Sequence, residues 1–183
     1  MTNSPDPNTP RITLRPATPD DAPLIRRFIE ELAEYEKLTH QMVATDESIR
    51  STLFEAKPPQ AEVILAFLNS EKNEEDHHKN QTPAGFALFF HNYSTFLGKQ
   101  GLYLEDLFVK PPYRGLGIGK KLLAKLAQIA LQRNCGRMEW AVLNWNEPAI
   151  KFYKSLNAKP MNEWTTYRLT GDPLHALAHS SPN

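Results

Sequence analysis

Three of the chain's eight glycines fall at alternate positions, Gly115, Gly117 and Gly119, directly before an amphipathic segment. Glycine permits positive φ angles and lets another molecule approach the backbone closely. The first amides of a helix have no intrahelical partner and lie at the positive end of the helix dipole. Arg114 and Lys120 add two cations to the same stretch. Since a tight turn alone would need only one glycine, this loop predicts a site for a phosphate or diphosphate group.

Two well-known phosphate-binding patterns do not fit this loop. A Walker loop needs glycine at 114 and serine or threonine at 121, where the chain has Arg114 and Lys121. The dinucleotide pattern needs a further glycine at 120 or 122, where the chain has Lys120 and Leu122. The pattern that does fit is Arg-Gly-x-Gly-x-Gly after an apolar strand that ends at Val109.

Two adjacent carboxylates, Glu105 and Asp106, interrupt an otherwise apolar segment with the residue types of a strand. A carboxylate in an apolar pocket is suited to accept a proton. Because side chains alternate along a strand, we expect these two to face opposite sides of a sheet, so that only one of them enters a given pocket. A solubilising charge on an edge strand is the alternative interpretation.

A further candidate for proton transfer is Tyr153, whose phenol can donate a proton without first being charged. Tyr153 lies in an amphipathic segment with Ile150 and Phe152, and its spacing fits a core aromatic equally well. Asn146, at the start of this segment, predicts a helix cap.

Hydrophobic periodicity predicts the elements that position these groups. Strands are predicted at 12–15, 61–68, 85–91, 102–110, 138–143 and 165–169, and helices from about 21, over 46–56, from 118 and from 147. Asp20 or Asp21 is expected to cap the first helix, and Gly136 to end the third. Residues 69–83 predict a polar loop, and the tail after Pro173 is at most weakly helical. This alternation of elements indicates a mixed α/β layer fold.

The segment from Val109 to Lys120 resembles the acetyl-CoA loop of the GNAT family of N-acetyltransferases. The runs 103–109 (Tyr-Leu-Glu-Asp-Leu-Phe-Val) and 146–153 (Asn-Glu-Pro-Ala-Ile-Lys-Phe-Tyr), together with 15–18 and 31–36, resemble the diamine branch of that family, the spermidine/spermine and thialysine enzymes. The resemblance implies the GNAT fold, an α/β architecture with a mixed, mostly antiparallel central sheet and helices on both faces. It places the N-acetyltransferase domain at 11–172, between a disordered tail at 1–10 and a flexible tail at 173–183.

The resemblance also implies an activity. The acetyl group of acetyl-CoA passes to a primary amine of a small molecule by direct attack in a ternary complex, without a metal, in a homodimeric protein. Glu105 is implied as the proton acceptor and Tyr153 as the general acid. The residues implied to contact acetyl-CoA are Leu107, Phe108, Val109, Arg114, Gly115, Leu116, Gly117, Ile118, Gly119, Lys120, Asn146, Glu147, Pro148, Ala149 and Tyr153; those implied to contact the amine are Tyr35, Glu36, Glu105, Glu139, Trp140 and Ala141.

Two positions depart from the branch. Thr165 stands near the place of an acidic substrate contact, and Asn157 replaces the glycine that follows the catalytic helix. Asparagine tolerates the left-handed backbone required there. The first departure and the polar segment 69–83 count against long polyamines, whereas a shorter diamine, a thialysine-like amino acid and other small amines stay open as substrates. Acetylation of a protein lysine or N-terminus, and acetyl-CoA binding without turnover, are the alternatives.

Composition argues against several other classes of protein. Lys plus Arg and Asp plus Glu number 21 each, which disfavours a nucleic-acid or anionic-membrane partner. The single cysteine, Cys135, cannot form an internal disulfide, and the adjacent His77 and His78 lack a third ligand at metal-binding spacing. The apolar runs are too short to span a membrane, and no basic-then-apolar signal pattern is seen. We therefore expect a cytoplasmic protein of one domain.

Overall fold

The computed structural model describes residues 11–69 and 81–180. Along the chain these residues form β1 (Arg11–Pro16), α1 (Ala22–Glu36), α2 (Asp46–Arg50), β2 (Glu62–Asn69), β3 (Gln81–Ser94), β4 (Lys99–Val109), α3 (Ile118–Gln132), β5 (Met138–Trp140), α4 (Glu147–Ser155) and α5 (Gly171–His179). The chain divides into two compact units, Met1–Ala141 and Val142–Asn183. All the strands and the first three helices belong to the first unit.

The strands form one sheet in the order β1-β2-β3-β4-β5. The pairs from β1 to β4 are antiparallel, whereas β5 runs parallel to β4. The predicted mixed, mostly antiparallel sheet is therefore confirmed. A parallel pair needs a crossover connection, and α3 supplies it between β4 and β5.

Helices cover both faces of this sheet. On one face, α1 inserts Ile25 and Phe28 into a buried cluster with alternate residues of β2 and with Phe86 and Phe108. The Phe28 and Phe86 rings stack with centroids 5.4 Å apart. The intervening β2 residue Ile64 is also buried and points to the opposite face, where α3 contacts β2, β3 and β4. Burial on both faces explains why β2 reads as one continuous apolar run.

A bulge in β4 changes the direction in which its side chains point. Leu88 of β3 pairs with Asp106, but the next residue, Phe89, pairs with Leu104, so Glu105 is one extra residue on β4. An extra residue breaks the alternation of faces. Leu88 packs against the α1-side cluster, and its pairing therefore places Asp106 on the α1 face. The uniform alternation expected for Glu105 and Asp106 does not hold.

The end of α3 differs from the sequence prediction. The residue that leaves the helix in left-handed backbone is Asn134, with φ 54°, and not Gly136. The amide of Cys135 then donates to the Ala130 carbonyl at 2.8 Å, satisfying one of the terminal carbonyls. Gly136 has a packing role instead, since a Cβ there would lie 2.9 Å from Leu97 Cδ1.

The start of α1 also differs in detail. Asp21 is its N-cap residue, but the Asp21 carboxylate makes no capping bond to the helix. It instead accepts two hydrogen bonds of 2.7 Å from the Arg15 guanidinium and one of 2.7 Å from the Thr18 amide. This bidentate pair ties the end of β1 to the beginning of α1.

Several boundaries are shifted relative to the predictions. The helix expected over 46–56 is α2 continued by one π-helical turn, Ser51–Glu55. The loop predicted at 69–83 extends too far toward the C-terminus, because β3 already begins at Gln81. Residues 70–80, which include His77 and His78, lie outside the described residues. The last strand of the sheet ends at Trp140, and not at 143.

The strand predicted at 165–169 is wrong. These residues are exposed and have no regular secondary structure. Alternating residues form a strand only where a neighbouring strand takes up their hydrogen bonds, and no strand of the described sheet pairs with them. The next segment, for which we expect at most weak helicity, is the nine-residue helix α5.

We expect Gly85→Ala to destabilise the protein by about 1–3 kcal/mol, the usual effect of overpacking. A Cβ at Gly85 would lie 2.4 Å from the Phe108 carbonyl oxygen, and backbone atoms of a sheet cannot move aside cheaply. Urea unfolding of the variant measures this loss. The matched control is Gly98→Asn, because Gly98 has φ 61° and open space around it, and asparagine tolerates that conformation. Equal stability of the two variants would contradict the prediction.

Candidate functional site

The predicted phosphate loop has the backbone conformation of an anion-binding helix start. Gly115 and Gly117 both have φ 83°, and Gly117 is the N-cap of α3. The first intrahelical bond runs from the Lys121 amide to the Gly117 carbonyl at 3.0 Å. The amides of Ile118, Gly119 and Lys120 precede that bond and so have no acceptor in their own helix. Because Gly119 already lies in helical backbone, only two of the three glycines serve the turn itself.

Arg114, at the start of this loop, is held by three contacts. Its guanidinium carbon lies 4.4 Å from the centre of the Tyr35 ring and 5.9 Å from that of Phe108. Its Nε donates a hydrogen bond of 3.0 Å to the Val109 carbonyl. The structure thus brings together Arg114 and Tyr35, which the sequence analysis assigned to different ligands.

The sheet leaves part of β4 unpaired on one side. The parallel pairing of β4 with β5 runs from Leu102 opposite Met138 to Leu104 opposite Trp140, where β5 ends. Beyond the bulge, β4 continues to Val109 with β3 on its other side. No strand of the described part of the chain covers this last stretch of β4 on the β5 side.

The hydrogen-bond alternation decides which amides face that open side. The Lys110 amide donates to the Ala84 carbonyl at 2.9 Å. In an antiparallel pair every second residue bonds to its partner strand, so the Phe108 amide points at β3. The amides of Leu107 and Val109 therefore point to the uncovered side. Of Leu107, Phe108 and Val109, which the resemblance implies as acetyl-CoA contacts, Leu107 and Val109 have amides that point in the direction needed for a ligand there.

Three carboxylates near the bulge influence one another electrostatically. Asp106 is half-buried, and its burial, reinforced by the negative charges of Glu105 and Glu36, raises its pKa from 3.8 to about 7. Burial also raises the pKa of Glu36. Glu105, by contrast, is exposed. The dry carboxylate that the sequence analysis expected at Glu105 is thus found at Asp106.

Sequence reasoning missed Asp106 for a specific reason. The adjacent acidic pair was the right signal, but uniform alternation assigns only one of the two to a pocket. The bulge that brings Asp106 to the face of Glu36 leaves no mark in a single sequence. A carboxylic acid with a pKa near neutrality is a frequent mark of a functional site.

Replacing Asp106 with asparagine is expected to stabilise the protein increasingly from pH 4 to pH 8. Because the pKa of Asp106 is higher in the folded state, the native protein binds the proton more tightly than the unfolded chain, and ionisation weakens folding as pH rises through this window. A pKa difference of this size corresponds to about 4 kcal/mol at high pH. Thermal unfolding of wild type and Asp106→Asn across this range measures the difference.

The matched control for this prediction is Asp20→Asn. Asp20 is an exposed carboxylate in the same unit. Its substitution should leave the unfolding curves nearly parallel at every pH, within about 0.5 kcal/mol. A constant gap between wild type and Asp106→Asn, unchanged from pH 4 to pH 8, would show that Asp106 ionises normally.

One of the predicted amine contacts at β5, Glu139, is bonded to other residues of the sheet. The Glu139 carboxylate accepts a bond of 2.7 Å from Arg137 Nε and one of 3.0 Å from Asn92 Nδ2. Trp140 is half-buried opposite Leu104, and Ala141 is exposed just after the strand. The Glu139 charge is thus already balanced within the sheet.

Tyr103, which the sequence analysis did not assign to a site, is the partner of Glu139 across β4 and β5. Burial and the charges of Glu105 and Glu139 raise the pKa of its phenol. Tyr103 therefore keeps its proton and can act as a hydrogen-bond donor beside Glu105.

The second unit contains the remaining predicted residues on and before α4. The Asn146 side chain accepts a hydrogen bond of 3.4 Å from the Ala149 amide, which confirms the helix cap. Glu147 and Pro148 form the first turn, and Tyr153 lies in the last, with its ring centroid 5.5 Å from that of Phe152.

The residue that follows α4 also behaves as the sequence suggests. Asn157 has φ 63°, the left-handed conformation expected at this position. The Ala158 amide donates to the Tyr153 carbonyl at 3.2 Å, closing the end of the helix.

Within residues 11–69 and 81–180, no three histidine, cysteine, aspartate or glutamate side chains come together in a way that could hold a metal ion. Across the same ranges, none of the helices combines the length and apolar character that a membrane span requires.

Comparison with known proteins places this geometry in a family. Residues 28–158 match the model of the acetyltransferase (GNAT) family. The chain is 37% identical to the L-ornithine N5-acetyltransferase NATA1 of Arabidopsis thaliana over 96% of each chain. It is 37% identical to the thialysine N-epsilon-acetyltransferase of Bos taurus over 91% of this chain and 97% of that protein. An integron cassette protein from the mobile metagenome of V. cholerae has a TM-score of 0.71 at 28% identity, covering 92% of this chain and 98% of that one.

The chain belongs to the GNAT acetyltransferase family, and the resemblance seen in its sequence is confirmed. It is an acyltransferase with the fold of that family. Members of the family use acetyl-CoA as co-substrate.

Proposed function

We propose that this protein transfers the acetyl group of acetyl-CoA to a primary amine of a small diamine, polyamine or thialysine-like amino acid. The observation that carries the proposal is the loop before α3, where the left-handed Gly115 and Gly117 follow Arg114 and lead to three amides that have no acceptor in their own helix. Two similar proteins are named for acetylation of ornithine and of thialysine, which carry more than one amine. A compact cationic substrate of that kind fits the acidic residues near the bulge.

The chain's residues fit an acyl donor with a diphosphate. The amides of Ile118, Gly119 and Lys120, with Gly115, Leu116, Gly117 and the charges of Arg114 and Lys120, bind the diphosphate. The Leu107 and Val109 amides, on the uncovered side of β4 next to Phe108, bind the donor's carbonyl and amide groups. Asn146, Glu147, Pro148 and Ala149 at the start of α4 contact the pantetheine arm.

The difficult step is removal of a proton from the substrate. An alkylamine has a pKa near 10.4, so only about one molecule in two thousand is the free base at pH 7, a deficit of roughly 4–5 kcal/mol. Glu105 accepts this proton, directly or through water, because its carboxylate is exposed while Asp106 and Glu36 lie further from solvent. The amine nitrogen then attacks the thioester carbonyl carbon in the ternary complex.

The same step breaks the carbon–sulfur bond and leaves a thiolate. Tyr153 gives its phenolic proton to that sulfur, so that CoA leaves as the neutral thiol. The attacking nitrogen loses its second proton to solvent as the amide forms, and solvent reprotonates Tyr153. The proton that Glu105 removed also returns to solvent, so one turnover releases one net proton from the ammonium substrate.

Glu36, Glu105 and Asp106 also select the substrate. Burial is the main cause of the raised pKa of Asp106, and the negative charges of Glu105 and Glu36 raise it further. A second ammonium group on the substrate relieves this repulsion and is therefore favoured over a neutral group. Trp140 and Ala141 border the amine less directly, and Glu139, bound to Arg137, contributes little charge.

The test is release of CoA thiol from acetyl-CoA in the presence of ornithine, thialysine, putrescine, spermidine, a lysine-containing peptide and a monoamine of equal length. We expect turnover with the free diamino compounds and much less with the peptide and the monoamine. Peptide acetylation would support the protein-lysine alternative. Acetyl-CoA binding by calorimetry with no turnover on any amine would instead indicate a non-catalytic binding protein. Sedimentation of the purified protein tests the expected homodimer.

A further inference from the structure

Tyr35 and Arg114 come from distant parts of the sequence and lie face to face in the first unit. Tyr35 is in the last turn of α1, and Arg114 directly precedes the left-handed Gly115. Their separation of 4.4 Å from guanidinium carbon to ring centre is within the range of a cation–π contact. The second ring, Phe108, lies 5.9 Å away, and the Nε bond to the Val109 carbonyl fixes the remaining freedom of the guanidinium.

This arrangement holds the guanidinium without using most of its hydrogen bonds. The bond to Val109 takes one of five N–H groups and involves Nε, so neither Nη atom is used in this bond, and both can be directed at a ligand. A planar guanidinium can bind phosphate oxygens through two parallel hydrogen bonds. A long side chain that is already ordered loses less conformational entropy when its ligand arrives.

We infer that Tyr35 is a positioning residue for the acyl donor: its ring holds the Arg114 guanidinium beside the amides that open α3. The inference rests on the proposed function, because it takes acetyl-CoA as the ligand of those amides. It differs from the role expected for Tyr35 from the sequence, a contact with the amine.

The charge at the ring argues against that amine contact. A substrate ammonium that approached the Tyr35 face would meet the positive guanidinium of Arg114 already stacked there. Like charges at such short range repel. Glu36, the next residue, is an acidic group whose pKa is raised by burial, and it remains suited to the cationic substrate.

The experiment compares Tyr35→Leu and Tyr35→Phe with wild type. Calorimetry measures the Kd of acetyl-CoA, and steady-state kinetics measures the KM of the amine. We expect Tyr35→Leu to weaken acetyl-CoA binding roughly threefold to tenfold. Tyr35→Phe, which keeps the ring, should stay within about twofold of wild type, and the KM of the amine should change little in both variants.

A double-mutant cycle separates positioning from a general structural effect. Arg114→Gln should weaken acetyl-CoA binding alone, and adding Tyr35→Leu to it should weaken binding no further. Arg114→Lys tests the same contact at an exposed position, in case Tyr35→Leu does not fold. Arg114→Lys keeps the positive charge but loses the planar guanidinium over the Tyr35 ring, and should also weaken the binding of acetyl-CoA.

Three results would overturn the inference while leaving the proposed function intact. They are additive losses in the cycle, an equal loss in Tyr35→Phe and Tyr35→Leu, and a raised KM of the amine with an unchanged Kd of acetyl-CoA. Failure of the wild-type protein to bind acetyl-CoA would overturn the proposed function, and this inference with it.

Discussion

A Tyr153→Phe variant is expected to keep its fold and its affinity for acetyl-CoA while kcat falls by about two to four orders of magnitude. The substitution removes one hydroxyl from a half-buried ring on α4 and leaves the contact with Phe152 in place. If the phenol protonates the leaving sulfur, the loss falls on the transition state and not on ground-state binding. Steady-state release of CoA thiol and calorimetry with acetyl-CoA measure the two quantities separately.

The control for this variant is Tyr167→Phe, the same change in the same unit at a ring that is 91% exposed. It should leave kcat within about twofold of wild type, as surface substitutions generally have small effects. A fall in kcat of less than threefold for Tyr153→Phe would mean that the thiolate leaves without help from this phenol.

Glu105→Gln is expected to lower kcat by a similar factor, about 10²–10⁴ at pH 7. The amide is close in size and shape to the carboxylate, and the exposed position accommodates the change, but glutamine cannot take up a proton from an ammonium. Raising the pH should partly restore the rate, because solvent then supplies more of the free amine. Rates measured from pH 6 to pH 10 show whether this recovery occurs.

Two further substitutions test whether a loss of kcat in Glu105→Gln is specific to the Glu105 carboxylate. Glu34→Gln, on the exposed face of α1, should behave as wild type. Asp106→Asn separates the neighbouring carboxylate from Glu105. If Asp106→Asn loses activity at neutral pH and Glu105→Gln does not, the buried acid is the proton acceptor and the assignment made to Glu105 is wrong.

Much of the fold follows from local patterns in the sequence. The apolar stripe that includes Ile25 and Phe28 predicts α1, since a helix of that period can bury only one face. The glycines at 115 and 117 predict a left-handed turn before α3, which both glycines adopt. Asn157 was also predictable, because few residues other than glycine tolerate its conformation. Each of these features depends on a few neighbouring residues.

The features that the sequence does not reveal depend on distant partners. Residues 165–169 alternate like a strand but pair with no strand of the part of the chain that the structure describes. The place of Asp106 depends on how β3 and β4 align, and the contact between Tyr35 and Arg114 depends on two elements nearly eighty positions apart. For the site, the sequence therefore identifies the phosphate loop and the acidic pair, but not whether Glu105 or Asp106 is the less solvated carboxylate.

The bulge at Glu105 has a consequence for how β4 can vary. Leu104, before it, and Phe108, after it, pack into hydrophobic layers on opposite sides of the sheet, although a spacing of four positions puts two residues of a regular strand on the same face. Deleting position 105 would leave Leu104 opposite Phe89 and Asp106 opposite Leu88, so that regular pleating would return with Phe108 still in its layer. We therefore expect the packing of the sheet to tolerate loss of this one position, whereas deleting Leu107 would turn Phe108 to the wrong face.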